Sequence, residues 1–113
     1  MLHMLNDRLI DVDEFLDVRA AGDKAIVLDV RGQDEWNEGR IPGAHLLQHW
    51  LIPFKINDIV PDKQTNIVVY CRTGGRSTVA AQMLESLGYV HVRNLIGGFE
   101  AYQAGGGEVE SEE

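Results

Sequence analysis

The stretch "IVVYCRTGGRS" (67–77) contains the only cysteine of the chain. Four strand-forming residues lead directly into Cys71, and a short segment with two arginines and two glycines follows it. A continuous apolar run of this length is typical of a strand that is buried on both faces of a parallel sheet. The sequence therefore predicts that Cys71 lies where a buried strand turns into a helix.

The composition is that of one globular domain. The chain has 113 residues, of which 44% are apolar, and this is enough for one core without a metal or a disulfide. A single cysteine excludes an intramolecular disulfide and indicates a reducing compartment. Because "MLHMLNDRLI" (1–10) contains no long apolar run, we predict neither a signal peptide nor a membrane span, and we expect a cytoplasmic protein. The net charge of −8 argues against nucleic acid or a membrane surface as partner.

Strand-like and helix-like segments alternate along the chain. The strand predictions are 25–30, 66–70, 91–95 and a short strand within 41–47. The helix predictions are 11–22, 33–39, 76–89, 97–106 and a broken or short helix within 48–56 that contains Pro53. This alternation predicts an α/β fold with a parallel sheet covered by helices on both faces. There is no internal repeat and no sign of a second domain.

Two of the helices carry more specific predictions. Asp11 is expected to begin the first one, with Glu14 three residues later as in a capping box and Gly22 beyond its end. The helix that follows Cys71 should place its apolar residues on one face, and these residues are Val79, Met83, Leu84 and Leu87.

The charges are unevenly distributed. Acidic residues concentrate in "AGGGEVESEE" (104–113), so residues 1–104 are predicted to form the domain and residues 105–113 a flexible acidic tail. In contrast, there is no Asp or Glu from Gln64 to Leu84, whereas Arg72 and Arg76 lie within this segment. The sequence therefore predicts a local positive region around the cysteine.

The predicted position of Cys71 suits an anion. If Cys71 to Gly75 form the turn between a parallel strand and a helix, they lie at the carboxyl edge of the sheet, where α/β proteins bind ligands. Backbone N–H groups of such a turn and the helix dipole stabilise a negative charge, and Gly74 and Gly75 allow the tight bend. Lowering a thiol pKa from about 8.5 to about 6.5 raises its thiolate fraction at pH 7 from roughly 3% to roughly three quarters. The alternative is that Cys71 is a small buried apolar residue, but such a residue does not need adjacent arginines and glycines.

The motifs of the chain resemble those of the rhodanese family of sulfurtransferases. "CRTGGRS" after "IVVY" is similar to the active-site loop of that family, "VLDVRGQDEWNEGRIPGAHLL" (27–47) to its other characteristic stretch, and "LIGGFEAY" (95–102) to its C-terminal motif. The resemblance covers most of residues 9–103 and implies a rhodanese-like, five-stranded parallel sheet, with Leu9 and Ile10 as the fifth strand. The chain has Arg40 where the family often has histidine and Tyr102 where it often has tryptophan.

The resemblance implies a reaction and a set of site residues. Cys71 is the expected catalytic residue, which takes sulfur from an anionic donor as a persulfide. The expected substrate-binding residues complete the loop: Arg72, Thr73, Gly74, Gly75, Arg76 and Ser77. An arginine at position 72 is similar to family members that use thiosulfate, whereas those that use mercaptopyruvate tend to have a small residue there. Since the chain has no second cysteine, an external acceptor such as cyanide, a small thiol or a protein cysteine would take the sulfur.

Two other functions are alternatives to sulfur transfer. A cysteine phosphatase also uses a thiolate, amide groups and an arginine, but its loop has the pattern C-x5-R, whereas four residues separate Cys71 from Arg76. A smaller ring suits a single sulfur atom better, and the segment offers no obvious general acid. A non-catalytic protein-binding domain of the same fold would not need the thiol.

The remaining polar and aromatic residues are given structural roles. Asp29 and Arg31 are predicted to form an ion pair, and Ser77 and Thr78 to cap the helix. Packing is the expected role of Trp36, Trp50 and Phe54. No metal or cofactor is predicted, because the histidines His45, His49 and His91 are scattered and have no second ligand type at metal spacing.

Overall fold

Residues 8–112 are described by the computed structural model, and they contain one parallel five-stranded sheet. The strands are β1 (Leu9–Ile10), β2 (Ile26–Asp29), β3 (His45–Leu46), β4 (Ile67–Tyr70) and β5 (Val92–Leu95). Their order across the sheet is β1-β5-β4-β2-β3, and every pairing is parallel. The strand β4 therefore occupies the centre, and Cys71 follows its last residue.

Helices cover both faces of this sheet. They are α1 (Val12–Ala20), α2 (Gln33–Glu38), α3 (Ile52–Ile59), α4 (Gly75–Ser86) and α5 (Gly98–Ala104), and a 3₁₀ turn (His49–Leu51) precedes α3. The predicted α/β class, the parallel sheet and the fifth strand at residues 9–10 are confirmed. Within residues 8–112, no helix has the length and apolar character that crossing a membrane requires.

The apolar core is divided by the sheet into two clusters. One cluster packs α3 and α4 against the sheet, with Ile52, Ile56 and Leu84 fully or almost fully buried, and it includes Cys71. The other contains Phe15 from α1 and the aromatic residues of α5. Since every residue of β4 is buried, the central strand contributes to both clusters, which explains why its sequence is apolar without alternation.

The ends of the helices follow their local sequence signals. The Asp11 carboxylate caps α1 by accepting a hydrogen bond from the Glu14 backbone N–H at 2.8 Å, as predicted. The short helix predicted around Pro53 is present, but Pro53 lies in the first turn of α3 and the helix continues to Ile59, beyond the predicted end at residue 56. Proline is compatible with this position since the first helical N–H groups have no partner within the helix.

Two packing predictions are only partly correct. On α4 Leu84 is buried and Met83 packs against the core as predicted, whereas Val79 and Leu87 are exposed and the small residues Ser77 and Ala80 are buried instead. The helix begins at the sheet edge, so its small residues face the strand ends. Packing is the predicted role of Trp50 and Phe54, yet they are 56% and 80% exposed, because the 3₁₀ turn and the first turn of α3 present these positions to solvent.

The C-terminal segment after α5 folds back onto the domain. Arg40, which is buried, forms a backbone bridge with Glu110 and ion pairs with Glu110 and Glu112 at 3.1 and 3.0 Å. The Tyr102 hydroxyl donates to the Glu108 carbonyl at 2.7 Å. The two positions at which the chain departs from the family pattern therefore both contact this segment. Most of residues 105–112 are exposed, and the flexibility proposed for them stays a prediction.

Candidate active site

Cys71 is held at the carboxyl edge of the sheet by α5. The Phe99 N–H donates to the Cys71 carbonyl at 2.8 Å, and the Glu100 N–H donates to the Arg72 carbonyl at 3.1 Å. Gly98 makes this contact possible, since a Cβ atom at that position would lie 2.6 Å from the Cys71 carbonyl oxygen. Its φ of +60° also favours glycine. The first turn of α5 thus fixes the backbone on which the thiol is carried.

The Cys71 sulfur lies within a ring of hydrogen-bond donors. The Gly74 N–H donates to Sγ at 3.1 Å, and the backbone N–H groups of Thr73 and Ser77 also act on the sulfur, because they lower the pKa of the thiol. The Ser77 hydroxyl oxygen lies 3.4 Å from Sγ. We call these three N–H groups and this hydroxyl the sulfur cradle. Gly74 shapes it with a φ of +127°, which a residue with a Cβ rarely adopts.

The sulfur cradle changes the acidity of the thiol. Burial, the largest single influence, raises the pKa of Cys71, but the Ser77 hydroxyl and the N–H groups of Ser77, Gly74 and Thr73 together lower it below its ordinary value. The predicted direction of the shift therefore agrees with the structure, and the main groups that lower the pKa are the Ser77 hydroxyl and the backbone N–H groups of the loop. Cys71 is only 1% exposed, and its other side contacts the apolar core.

The Arg76 side chain is engaged by a carboxylate. Its two terminal nitrogens donate to the two Glu35 oxygens at 2.7 and 2.9 Å, and Glu35 also accepts from the Gly32 N–H at 3.1 Å. The hydrogen bonds from Arg76 are the main reason that the pKa of Glu35 falls to about 2. This bidentate pair connects the first turn of α4 to α2.

The Arg72 side chain is also paired, but at the surface. Its Nε lies 2.9 Å from a Glu100 carboxylate oxygen, and both side chains are more than half exposed. We call the Arg76–Glu35 and Arg72–Glu100 ion pairs the rim pairs. The prediction of a local positive region is therefore wrong, because carboxylates that are distant along the chain reach both arginines.

A buried polar network supports the loop from the β2 side. Asp29 accepts from the Arg31 guanidinium at 2.7 Å and from the Tyr70 hydroxyl at 2.7 Å. The Arg31 guanidinium also lies 4.5 Å from the centre of the Phe99 ring. The ion pair of Asp29 with Arg31 is confirmed, and both residues are almost fully buried. The role of Tyr70 was missed because its strand reads as uniformly apolar.

A cavity of about 390 Å³ opens beside the loop. Its walls are formed by Arg31, Glu35, Glu38, Gly39, Arg72, Phe99, Glu100 and Gln103. The cavity therefore lies between α2, α5 and the rim pairs. Among residues 8–112, no group of three His, Cys, Asp or Glu side chains is arranged to hold a metal ion.

Of the predicted site residues, Cys71, Thr73, Gly74 and Ser77 converge on the sulfur through the cradle. Gly75 begins α4, and the side chains of Arg72 and Arg76 point to carboxylates instead of to Sγ. The hydroxyls of Ser77 and Thr78 donate to or approach the Gly74 carbonyl, so they do not cap a free N–H.

Three residues of the site were not predicted: Glu35, Glu100 and Asn94. Asn94 on β5 is 9% exposed, and its Oδ1 accepts from the Ser77 hydroxyl at 2.6 Å. An uncharged polar residue in a strand that leads to the sheet edge, as in "VRNL", was a signal that could have found it. Nothing in the local sequence singles out the two glutamates.

Comparison with known proteins identifies the family. A model of the rhodanese-like domain matches residues 3–105, so the chain belongs to the rhodanese-like family. A crystal structure of the Alr3790 protein from Anabaena superposes with a TM-score of 0.82 and 29% identity, covering 90% of this chain and 91% of that one. The fold that the sequence motifs implied is therefore confirmed.

Curated relatives are named for sulfur transfer. A sulfurtransferase from Allochromatium vinosum is 36% identical over 98 residues, which cover 87% of this chain and 80% of that protein. The thiosulfate sulfurtransferase GlpE from Coxiella burnetii is 38% identical over 80 residues, 70% of this chain and 72% of that protein. The chain is thus a member of a family with sulfurtransferase homologues.

Proposed function

We propose that the protein transfers sulfane sulfur from thiosulfate, or a similar anionic donor, through a persulfide on Cys71. The observation that supports this most is the sulfur cradle, in which three N–H groups and one hydroxyl surround a single thiol. Donors arranged in advance around a developing negative charge stabilise it without reorganisation. A persulfide anion is such a charge, and the sulfurtransferase relatives make this chemistry the natural reading.

The first step loads sulfur onto the protein. The Cys71 thiolate attacks the outer sulfur of thiosulfate, a new S–S bond forms, and the old S–S bond breaks so that sulfite leaves with the bonding pair. The product is Cys71–S–S⁻, and no oxidant or reductant is consumed. The N–H groups of Thr73, Gly74 and Ser77 are the donors nearest to the new charge.

The second step unloads it. A nucleophilic acceptor such as cyanide attacks the outer persulfide sulfur, and Cys71 leaves as the thiolate. Since the chain has one cysteine, the persulfide has no internal thiol that would resolve it to a disulfide. The acceptor is therefore external, and a small thiol or a cysteine of another protein fits the same step.

The two loop arginines differ in role. Arg76 is held by two hydrogen bonds to Glu35, so it fixes the loop against α2. Arg72 is two-thirds exposed and makes a single contact with Glu100, so its cation can exchange that carboxylate for an anionic donor. This exchange favours a doubly charged donor such as thiosulfate over the singly charged mercaptopyruvate.

Phosphate-ester hydrolysis by a cysteine phosphatase is the alternative function for this loop. The four-residue spacing from Cys71 to Arg76 and the engagement of Arg76 by Glu35 both argue against a phosphate-binding role for that arginine. The deep burial of Cys71 also favours a donor that presents one narrow sulfur atom over a tetrahedral phosphate ester.

The decisive assay compares both reactions. The purified protein is incubated with thiosulfate and cyanide while thiocyanate is followed, and a parallel reaction contains an aryl phosphate. We expect thiocyanate from the first mixture and no phosphate from the second, and we expect Cys71→Ser to produce neither. Phosphate release without thiocyanate would contradict the proposal.

A further inference from the structure

The Ser77 hydroxyl in the sulfur cradle has one proton and three neighbours that could accept it. The Asn94 Oδ1 is the nearest at 2.6 Å, the Gly74 carbonyl lies at 3.2 Å, and the Cys71 sulfur lies at 3.4 Å. A hydroxyl donates one hydrogen bond at a time. In the described arrangement the proton therefore points to Asn94, and the Ser77 oxygen is free to accept from a neutral Cys71 thiol.

The orientation of the Asn94 amide is set from its other end. Its Nδ2 donates to the Thr78 hydroxyl at 3.0 Å, and that hydroxyl donates in turn to the Gly74 carbonyl at 2.7 Å. A turned amide would present Nδ2 to Ser77 and lose the donation to Thr78. The Thr78 chain thus keeps the amide oxygen, an acceptor, directed at Ser77.

We propose that Asn94 is a positioning residue that withholds the Ser77 proton from the Cys71 sulfur in the resting protein and releases it when the sulfur becomes charged. When Cys71 ionises, the Ser77 hydroxyl turns to the thiolate, and the nearly buried Asn94 oxygen loses its donor. Leaving a buried acceptor without a donor costs free energy, so Asn94 opposes ionisation. A larger fraction of Cys71 therefore stays a neutral thiol than the cradle alone would allow.

The charged groups near Cys71 come from α2, α4, α5 and the end of β2, whereas Asn94 on β5 is uncharged. Arg76 of α4 favours the thiolate and is itself compensated by Glu35 of α2, and Asp29 at the end of β2 is compensated by Arg31. Arg72 is paired with Glu100 of α5. Each of these charges therefore has a partner of opposite sign. The contact between Ser77 and Asn94 involves no charge, so one uncharged substitution at Asn94 changes it without leaving a charge unpaired.

The test is the pH dependence of Cys71 alkylation by iodoacetamide. Asn94→Leu removes the competing acceptor, so the midpoint should move about one pH unit lower than in the unmodified protein, which is the size expected for one hydrogen bond to a charged group. Thr78→Val, at an exposed position, leaves Asn94 in place but frees its amide to turn, and it should move the midpoint the same way by less. Asn57→Leu on α3 is the matched control and should leave the midpoint unchanged.

The same substitution in a Ser77→Ala protein distinguishes a positioning role of Asn94 from a packing role. In Ser77→Ala the proton in question is gone, so adding Asn94→Leu should leave the midpoint where Ser77→Ala puts it. The inference would be overturned if Asn94→Leu shifted the alkylation midpoint equally in the presence and in the absence of Ser77. It would also be overturned if the midpoint stayed unchanged in Asn94→Leu or in Thr78→Val. The inference deepens the proposed role of Cys71, yet alkylation needs no sulfur donor, so its result stands apart from the thiocyanate assay.

Discussion

The sulfur cradle and the rim pairs differ in how they handle charge. The cradle consists of neutral groups, the N–H groups of residues 73, 74 and 77 and one hydroxyl, directed at a buried thiol. The rim pairs consist of full charges that already neutralise each other at a partly exposed surface. In the proposed reaction the cradle would stabilise the sulfur anion, while the arginines would hold the loop and contact the donor. Four substitutions, each of the first two with a control variant, and one direct measurement test this division.

The largest effect is expected from Gly98→Ala, which disturbs the close contact between α5 and the backbone that carries Cys71. The new Cβ would meet the Cys71 and Arg72 backbone at 2.6–2.7 Å, at a φ of +60°. Because backbone atoms cannot move aside as side chains do, we expect a loss of about 2–4 kcal/mol in the free energy of unfolding. Urea unfolding measures the stability, and thiosulfate turnover should fall with it.

Gly106→Ala is the matched control for Gly98→Ala. Gly106 also has a positive φ, of +89°, but a Cβ there meets nothing within 4 Å. It should therefore cost only about 1 kcal/mol, the strain term alone. Equal losses in the two variants would mean that the close approach of α5 to the loop is unimportant.

A smaller effect is expected from Glu35→Gln, which breaks the more buried rim pair. The pKa of Glu35 is lowered from 4.5 to about 2 in the folded protein, so the carboxylate stabilises the fold above pH 4.5 and this contribution is lost as the pH falls toward 2. Since about a third of each side chain is exposed, we expect a cost of about 1–1.5 kcal/mol at pH 7, after discounting for solvent screening.

Denaturant unfolding at two pH values tests the sign. The difference between the unmodified protein and Glu35→Gln should shrink to under about half by pH 3, because the unfolded carboxyl is then protonated. Glu38→Gln on the same helix is the control, since the described residues show no ion pair for Glu38. A difference that stays constant with pH would show that Arg76 does not depend on the charge of Glu35.

How much of this was visible in the sequence depends on the range of the interactions. The strands β2 to β5, the Asp11 cap and the position of the loop around Cys71 were predicted correctly from neighbouring residues, whereas β1 was expected only from the family resemblance. The rim pairs were not, because Glu35 and Glu100 lie 41 and 28 positions from their arginines. A local absence of acidic residues therefore did not make the site positive.

The same limit explains the other differences. Asn94 reaches Ser77 across the edge of the sheet, and Arg40 meets Glu110 from 70 positions away. Packing of Trp50 and Phe54 was expected from their size alone, whereas exposure depends on which side of α3 faces the sheet. Local patterns predicted the elements and the position of Cys71, and only the fold showed what surrounds them.

The smallest effect is expected at the exposed rim pair. Arg72→Ala should lower kcat/KM for thiosulfate by about two- to fivefold and affect mercaptopyruvate less, because exposed ion pairs contribute little. Glu100→Gln should raise the value for thiosulfate, since it frees Arg72, and high salt should remove both effects. Changes of the same sign in the two variants would show that the pair acts as a structural unit and does not read the donor's charge.

The most direct measurement of the central claim is the intact mass of the protein after treatment with thiosulfate. If the sulfur cradle holds a persulfide, the mass should increase by one sulfur atom per chain, cyanide should remove it, and Cys71→Ser should show no increase. An unmodified mass, or the same added sulfur in Cys71→Ser, would contradict the assignment of Cys71 as the sulfur carrier.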